Sequence, residues 1–187
     1  MLIRPTIEAD LPAITSLTNT FIVATPIHFS FEPLPVAEML HMWREGRDRY
    51  PWLTAEVDGR FAGYAKAGVW RTRAAYQWTA EAGIYVETDC RARGIGSALY
   101  AAIIDDLRRR GFHSVIGGVT LPNQASVKLH ESLGFEFVGR FRHAGHKFGQ
   151  WHDVGFWQLP LRDDTHHPSG PDAGPAAPPI ETPESKR

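Results

Sequence analysis

Apolar and polar positions repeat with two different periods along the chain, and the changes of period mark out its elements. Leu2-Ile3-Arg4 is a short apolar start limited by Pro5, as in an edge strand. From Leu11 to Phe21 the spacing becomes helical, with Ile14, Leu17, Thr18 and Phe21 on one face. A loop over Phe29–Pro35 leads to a second helix, Val36–Arg49, with Met39, Leu40 and Trp43 on its apolar side. Trp52–Val57 and Phe61–Val69 are β-prone runs joined by Asp58-Gly59, a dipeptide suited to a tight hairpin turn. Tyr76–Val86 reads as a longer strand. Ser97–Arg110 reads as a helix with Leu99, Ala102, Ile103 and Leu107 in a stripe and Gly111 as its stop. Ser114–Val119 is a short strand, Pro122-Asn123 opens a helix to Leu133, and Phe135–Phe141 and His152–Leu161 are two further strands.

The resulting order is β-α-α-β-β-β-α-β-α-β-β. It fits neither a (β/α)8 barrel nor a strictly alternating doubly wound sheet. It predicts a mixed α/β sheet with helices covering both faces.

Composition changes sharply near residue 162. Residues 163–187 hold six prolines, no aromatic residue and one large aliphatic, Ile180, and carry a charge of −3. So little apolar surface cannot offset the entropy of ordering the chain, so the expectation is a domain over 1–162 and a disordered, Pro-rich acidic tail over 163–187. The tail's His166-His167 pair could bind metal, but a solvated tail is the simpler reading. With 20 Lys plus Arg against 21 Asp plus Glu, the 187-residue chain is near neutral, which argues against bulk electrostatic binding to nucleic acid. Cys90 stands alone, excluding an internal disulfide and any CxxC motif. The start MLIRPTIEADLPA lacks an apolar signal core, and no apolar run reaches the ~18 residues that a spanning helix needs. The expectation is a soluble, cytoplasmic protein without membrane or nucleic-acid partners.

The segment richest in chemistry is Arg91-Ala92-Arg93-Gly94-Ile95-Gly96-Ser97, between a strand and a helix. Glycines at 94 and 96 permit positive φ and close approach of a ligand to the backbone. The helix that follows aims free N–H groups and its positive dipole end at the loop, and two arginines add charge-assisted donors. Together these suit a pyrophosphate. The loop lacks the GK[ST] of a Walker A motif, and Leu99 stands where a dinucleotide fingerprint needs its third glycine.

Arg91-x-x-Gly94-x-Gly96 resembles the pyrophosphate loop of the GNAT superfamily of acetyl-CoA-dependent N-acetyltransferases. Asn123-x-x-Ser126-x-x-x-His130-x-x-x-Gly134-Phe135 resembles the same superfamily's next helix motif. Closer similarity, to the phosphinothricin N-acetyltransferase subfamily, runs through Asp48–Trp52, Ala74–Glu81, Leu121–Asn123, Ser126–Glu131 and Trp151–Gln158. The resemblance spans about residues 2–160 and implies a GNAT fold: a mostly antiparallel central sheet in which two parallel strands splay apart. Lys66, Val69 and His28 depart from the subfamily pattern, which usually has an aromatic residue, a proline and an asparagine there. Ala82 and Gly83 also depart, at positions where Ser or Thr types are common, and all five of these residues could line the acceptor pocket.

The resemblance implies that Ile84, Tyr85 and Val86 bind the pantetheine arm of acetyl-CoA through their backbone, while Arg91, Ala92, Arg93, Gly94, Ile95, Gly96 and Ser97 hold its pyrophosphate. Transfer to an amine needs a base, since a free amine is mostly protonated at neutral pH. Strand alternation puts Thr79, Glu81 and Tyr85 on one face. A glutamate there could be a solvated strand residue; the subfamily's matching glutamate is the implied general base. Asn123, Ser126 and His130 share a helix face at spacings of 3 and 4. Asn123 can cap that helix, contact CoA, or both, with Ser126 beside it. His130 occupies the position where many relatives carry a tyrosine acid, and could equally be a packed residue. Arg71, Arg73, Tyr76, Trp78 and Lys147 are candidates for binding a small amino acid analogue of phosphinothricin or methionine sulfoximine type. Another amine acceptor and a non-catalytic acetyl-CoA-sensing module are the alternatives. His143-x-x-His146 lacks a third ligand at metal-site spacing, and the chemistry calls for no metal. A homodimer is implied by resemblance.

Overall fold

The computed structural model describes residues 1–163 and 165; His166, His167 and the rest of the expected tail lie outside the described residues. The elements are Leu2–Pro5 (β1), Leu11–Ala24 (α1), Val36–Gly46 (α2), Trp52–Val57 (β2), Arg60–Val69 (β3) and Thr79–Val86 (β4). They continue with Ile95–Arg109 (α3), Ser114–Leu121 (β5), Gln124–Ser132 (α4), Glu136–Lys147 (β6) and Gln150–Pro160 (β7). This is the predicted order, and it folds as a GNAT-type mixed sheet.

Seven strands lie in the order β1-β2-β3-β4-β5-β7-β6. Every neighbouring pair is antiparallel except β4 and β5. The period of two along β3 sends successive side chains to opposite layers. Tyr64 joins the cluster of α1 and α2 around Leu11, Ile14, Leu17, Met39 and Trp43. Its neighbour Ala65 faces the larger cluster built on Leu99, Ile103 and Leu107 of α3. Each of those α3 side chains is fully buried, contributing roughly 2 kcal/mol by removal from water. Tyr64 is buried too, and its hydroxyl is matched to Thr18 Oγ1 at 2.7 Å, which avoids the ~1–3 kcal/mol cost of an orphaned polar group.

Asp58 and Gly59 both have positive φ (52° and 73°), the geometry the β2–β3 hairpin was expected to use. A second such turn, Phe148-Gly149 with φ of 52° and 72°, joins β6 to β7 and lengthens both strands beyond their expected limits. It was hidden because a phenylalanine in the left-handed region carries no turn signal. The start of β4 moves from Tyr76 to Thr79, because Ala74–Tyr76 coil into one 3-10 turn. Likewise α3 begins at Ile95 rather than Ser97, with Gly94 (φ 76°) as its N-cap.

Candidate active site

β4 and β5 pair only over Thr79–Glu81 and Ser114–Ile116. Beyond that point each strand keeps only its outer neighbour: β4 pairs with β3 as far as Val86, and β5 with β7 as far as Leu121. The two parallel strands therefore part after Glu81, leaving a fork edged by Ala82–Val86 and Gly117–Leu121. The inner edge of β4 in the fork runs along Ala82–Val86, the segment that contains Ile84, Tyr85 and Val86.

Glu81 sits at the head of this fork. Its carboxylate lies over Gly118 of β5: a Cβ built there would stand 3.2 Å from Glu81 Oε1 and 3.4 Å from the Phe156 ring. Burial pushes the Glu81 carboxyl above the usual carboxylate range, and the nearby charges of Arg71 and Lys66 pull it partway back. Three glycines on this face, Gly68 opposite Glu81, Gly83 two residues along and Gly118, floor the space around it. No atom lies within 4 Å of a Cβ on Gly68, and only the Tyr85 ring edge, at 3.8 Å, meets one on Gly83. Tyr85 walls the hollow, stacked on Tyr64 (5.2 Å between centroids) and edge-on to Phe21 (5.1 Å). Its phenol is pushed up to about 12 by burial and by the Glu81 charge.

The next residue of β5, Gly117, faces the other way. A Cβ there would collide with the His130 imidazole and stand 3.1 Å from Tyr100 Oη. His130 is 6% exposed and Tyr100 1%. His130 Nδ1 lies 2.7 Å from the Ser126 carbonyl, which can only accept, so Nδ1 carries the proton. Nε2 is then the acceptor, and the Tyr100 hydroxyl donates to it at 2.8 Å. Burial pushes the imidazole pKa down, against the pull of the Ser126 carbonyl, and burial with the Glu81 charge pushes the Tyr100 phenol up. His130 is thus held neutral, and the hydroxyl proton at this spot belongs to Tyr100. Tyr100 escaped sequence reasoning because it lies among the buried apolar residues of α3, 30 positions from its partner.

In the loop at the end of the fork Gly94 takes positive φ but Gly96 does not, because it lies in the first turn of α3. Ala92 and Gly94 have positive φ (59° and 76°), and Arg91, Arg93 and Ser97 are exposed while Ile95 is buried. The first α3 bond runs from Ala98 N–H to Gly94 O (3.0 Å), so the amides of Ile95, Gly96 and Ser97 are left for an anion. A Cβ on Gly96 would touch Val86 at 3.8 Å, so the loop abuts the end of β4. Arg91 lies with its guanidinium 5.5 Å from the Phe21 centroid. Asn123 caps α4, its Oδ1 accepting from Ser126 N–H at 3.1 Å, which leaves its side-chain N–H groups available.

The acceptor candidates divide. Arg71 is exposed at the mouth, its guanidinium 4.8 Å from the Trp70 ring, which in turn packs edge-on against Phe156. Arg73 and Tyr76 are exposed on the same β3–β4 loop, in no hydrogen bond with Glu81. Trp78 faces Arg49 (5.7 Å) at the closed end of the β4–β5 pair. Lys147 requires a correction: it is 2% exposed, and its ammonium donates to the carbonyls of Ile22 (2.5 Å) and His28 (2.6 Å). It anchors the α1–α2 loop and has no donor turned toward an acceptor. Lys66 and His28, departures from the subfamily pattern at positions that could line the acceptor pocket, are brought to the face of Glu81 by register and loop path.

Residues 3–155 match the acetyltransferase (GNAT) domain family. The chain belongs to that family and is an N-acetyltransferase; the family's acyl donor is acetyl-CoA. It is 44% identical over 156 residues to a phosphinothricin N-acetyltransferase of Streptomyces viridochromogenes, covering 83% of this chain and 85% of the relative. It is 36% identical over 175 residues to an L-methionine sulfoximine/L-methionine sulfone acetyltransferase of Salmonella typhimurium, covering 92% and 99%. The fold is similar, at a TM-score of 0.82 and 32% identity, to a phosphinothricin acetyltransferase of Sinorhizobium meliloti solved with acetyl-CoA, covering 86% of this chain and 88% of that one. No described helix is long and apolar enough to cross a membrane. Among the described residues no group of three or more His, Cys, Asp or Glu side chains could hold a metal ion.

Proposed function

We propose that this N-acetyltransferase moves the acetyl group of acetyl-CoA onto the α-amine of a small amino acid of the phosphinothricin or methionine sulfoximine type, with Glu81 as general base. The observation that carries the reading is the position of the Glu81 carboxylate at the head of the β4–β5 fork, over Gly118, with its proton affinity raised by burial. The substrates named for the two relatives above support the acceptor class.

In this reading the pyrophosphate of acetyl-CoA rests on the free amides of Ile95, Gly96 and Ser97 with Arg91 and Arg93, and Asn123 and Ser126 flank the arm. Ile84, Tyr85 and Val86 hold the pantetheine amides by backbone hydrogen bonds along the fork. Glu81 takes a proton from the acceptor ammonium. The freed nitrogen attacks the thioester carbonyl to give a tetrahedral oxyanion; as this collapses the C–S bond breaks, the nitrogen passes its second proton to the departing thiolate, directly or through water, and a hydrogen-bond donor stabilises the sulfur. The neighbouring Tyr100 hydroxyl supplies that donor by turning its O–H from His130 Nε2 to the sulfur. Thiol release with phosphinothricin, methionine sulfone and an amine panel including a peptide N-terminus tests the acceptor. Turnover of the peptide alone would transfer the reading to another amine; acetyl-CoA binding without turnover of any amine would leave a sensing module.

We also infer a homodimer paired through β6. This 12-residue strand is the sheet's outer edge. It exposes Phe137, Val138 and Phe141, with Trp151 of β7 beside them, a load that a lone edge strand would normally avoid. Light scattering should give twice the chain mass, and Phe141→Lys should shift it toward the single chain. A monomer at micromolar concentration in the unaltered protein would refute the pairing. A cytoplasmic location, and a role in resistance by capping the amine of a toxic amino acid, follow from the same reading. Expression in cells sensitive to phosphinothricin tests the role.

A further inference from the structure

Two of the positions that depart from the subfamily pattern, 38 residues apart in the chain, meet in space. Lys66 lies on β3 opposite Gly83 and on the same face as Glu81. It stands one strand further from the fork, about 5 Å on, and leans away from it: its Nζ is 5.0 Å from the ring of Trp52 on β2. The side chain is half-buried, and its ammonium makes no recorded hydrogen bond or ion pair among the described residues. Lys147, by contrast, has its ammonium committed to two carbonyls.

His28 approaches the same end of the hollow from the α1–α2 loop, with its ring 6.4 Å from that of Tyr85. Its Nδ1 accepts from Ser30 N–H at 3.2 Å, so the proton sits on Nε2. Burial and the charges of Lys66 and Lys147 hold the imidazole neutral. Lys147 grips the His28 carbonyl and the Phe29 ring lies against Gly145, so this loop is pinned over the sheet. The hollow thus has a carboxylate at the fork end and, at the other, two donors free of hydrogen bonds among the described residues, one of them the Lys66 ammonium, whose pKa burial lowers and the Glu81 charge pulls partway back, above a floor of Gly68 and Gly83.

We propose that Lys66 and His28 form a subsite for a second, acidic group at the far end of the acceptor, so that the enzyme selects amino acids carrying a distal anion over those with a neutral distal group. This rests on the acetyltransferase reading above. The α-carboxylate of any amino acid stays within about two bonds of the amine carbon, and so remains beside Glu81. Only a group several bonds away reaches β3. The phosphinate of phosphinothricin has that placement and charge; the sulfone of methionine sulfone has the placement without the charge.

The test compares those two acceptors in the full-length protein and in Lys66→Met, Lys66→Arg and His28→Asn. One readout is thiol release; the other is calorimetric binding in the presence of CoA. In Lys66→Met the ratio of kcat/KM for phosphinothricin over methionine sulfone falls at least tenfold, with the same relative loss in binding. Lys66→Arg recovers part of it, and His28→Asn loses a smaller part. Equal losses for both acceptors would assign Lys66 to the α-carboxylate and overturn the subsite while leaving the enzyme reading intact. Lys66-dependent binding of phosphinothricin without turnover would keep the subsite and overturn the enzyme reading. An unaltered protein that neither binds nor acetylates either acceptor would overturn both.

Discussion

Glu81→Gln separates a proton-accepting role from a merely structural one, because the two make opposite demands. The amide keeps the size and most of the contacts over Gly118 but cannot take a proton. Loss of a positioned base costs on the order of 10²–10⁴ in rate, or roughly 3–5 kcal/mol of barrier. The size should vary with pH in a defined way. An acceptor amine with a pKa near 9 is about one-tenth neutral at pH 8 and about one-hundredth neutral at pH 7. The unaltered enzyme draws on the abundant ammonium form as long as Glu81 is ionised, so its kcat/KM is flat over this range. The variant can use only the neutral fraction, and its kcat/KM should climb about tenfold per pH unit. Below neutrality the unaltered enzyme loses activity as Glu81 protonates, at a pH above the usual carboxylate range because burial raises its pKa. Stability should move the other way. A buried carboxyl with a raised folded-state pKa favours folding most below its unfolded pKa, and loses that advantage as pH rises through the folded value. Glu81→Gln should therefore raise Tm at pH 8, with the gain narrowing toward pH 4. Thiol release from pH 6 to 9 and thermal unfolding at both ends measure these. Parallel pH profiles, or turnover within threefold of the unaltered enzyme, would refute the base assignment.

Three further substitutions address the surroundings. Gly118→Ala places a Cβ 3.2 Å from Glu81 Oε1 and should push the carboxylate aside, lowering kcat at least tenfold with Tm within a few degrees; unchanged kcat would show that the carboxylate need not lie there. Tyr100→Phe deprives buried His130 Nε2 of its donor and should cost about 1–3 kcal/mol in urea unfolding, along with slower turnover; an unshifted midpoint would contradict the network. Lys147→Met orphans the carbonyls of Ile22 and His28, at about 1–3 kcal/mol each, and the loss should appear as faster amide exchange over residues 22–30; unaltered exchange would refute its anchoring role.

How much of this was legible in the chain depends on how local each signal is. The Asp58-Gly59 turn, the α3 stripe and the glycine loop are encoded within a few residues, and each lies where the periodicity put it. The Gly117-Gly118 pair is equally local but went unread: adjacent glycines inside a strand signal a close approach. What approaches, Glu81 from one side and His130 with Tyr100 from the other, depends on packing with residues 13 to 37 positions away in the chain. Lys66, Lys147 and His28 show the limit of reasoning from residue type. One lysine is committed to backbone carbonyls and the other leaves its ammonium uncommitted, and nothing adjacent in the sequence distinguishes them.

The glycine pair also gives the proposed chemistry its direction. Consecutive strand residues face opposite layers, so each glycine opens the fork to a different side. On the α1–α2 side the fork head carries the Glu81 carboxylate, with Lys66 and Arg71 near enough to act on it. On the α3–α4 side stands a neutral pair, Tyr100 donating to His130, with no carboxylate in its hydrogen bonds. An acetyl group lying in the fork would meet the amine from the side that can take a proton and release sulfur toward the side where the Tyr100 O–H can turn from His130 to the sulfur. Two carboxylates, or two neutral donors, would serve only one of these steps. For the proposed direct transfer this division of charge between the faces is a physical condition, and bulky side chains at residues 117 and 118 would block both approaches.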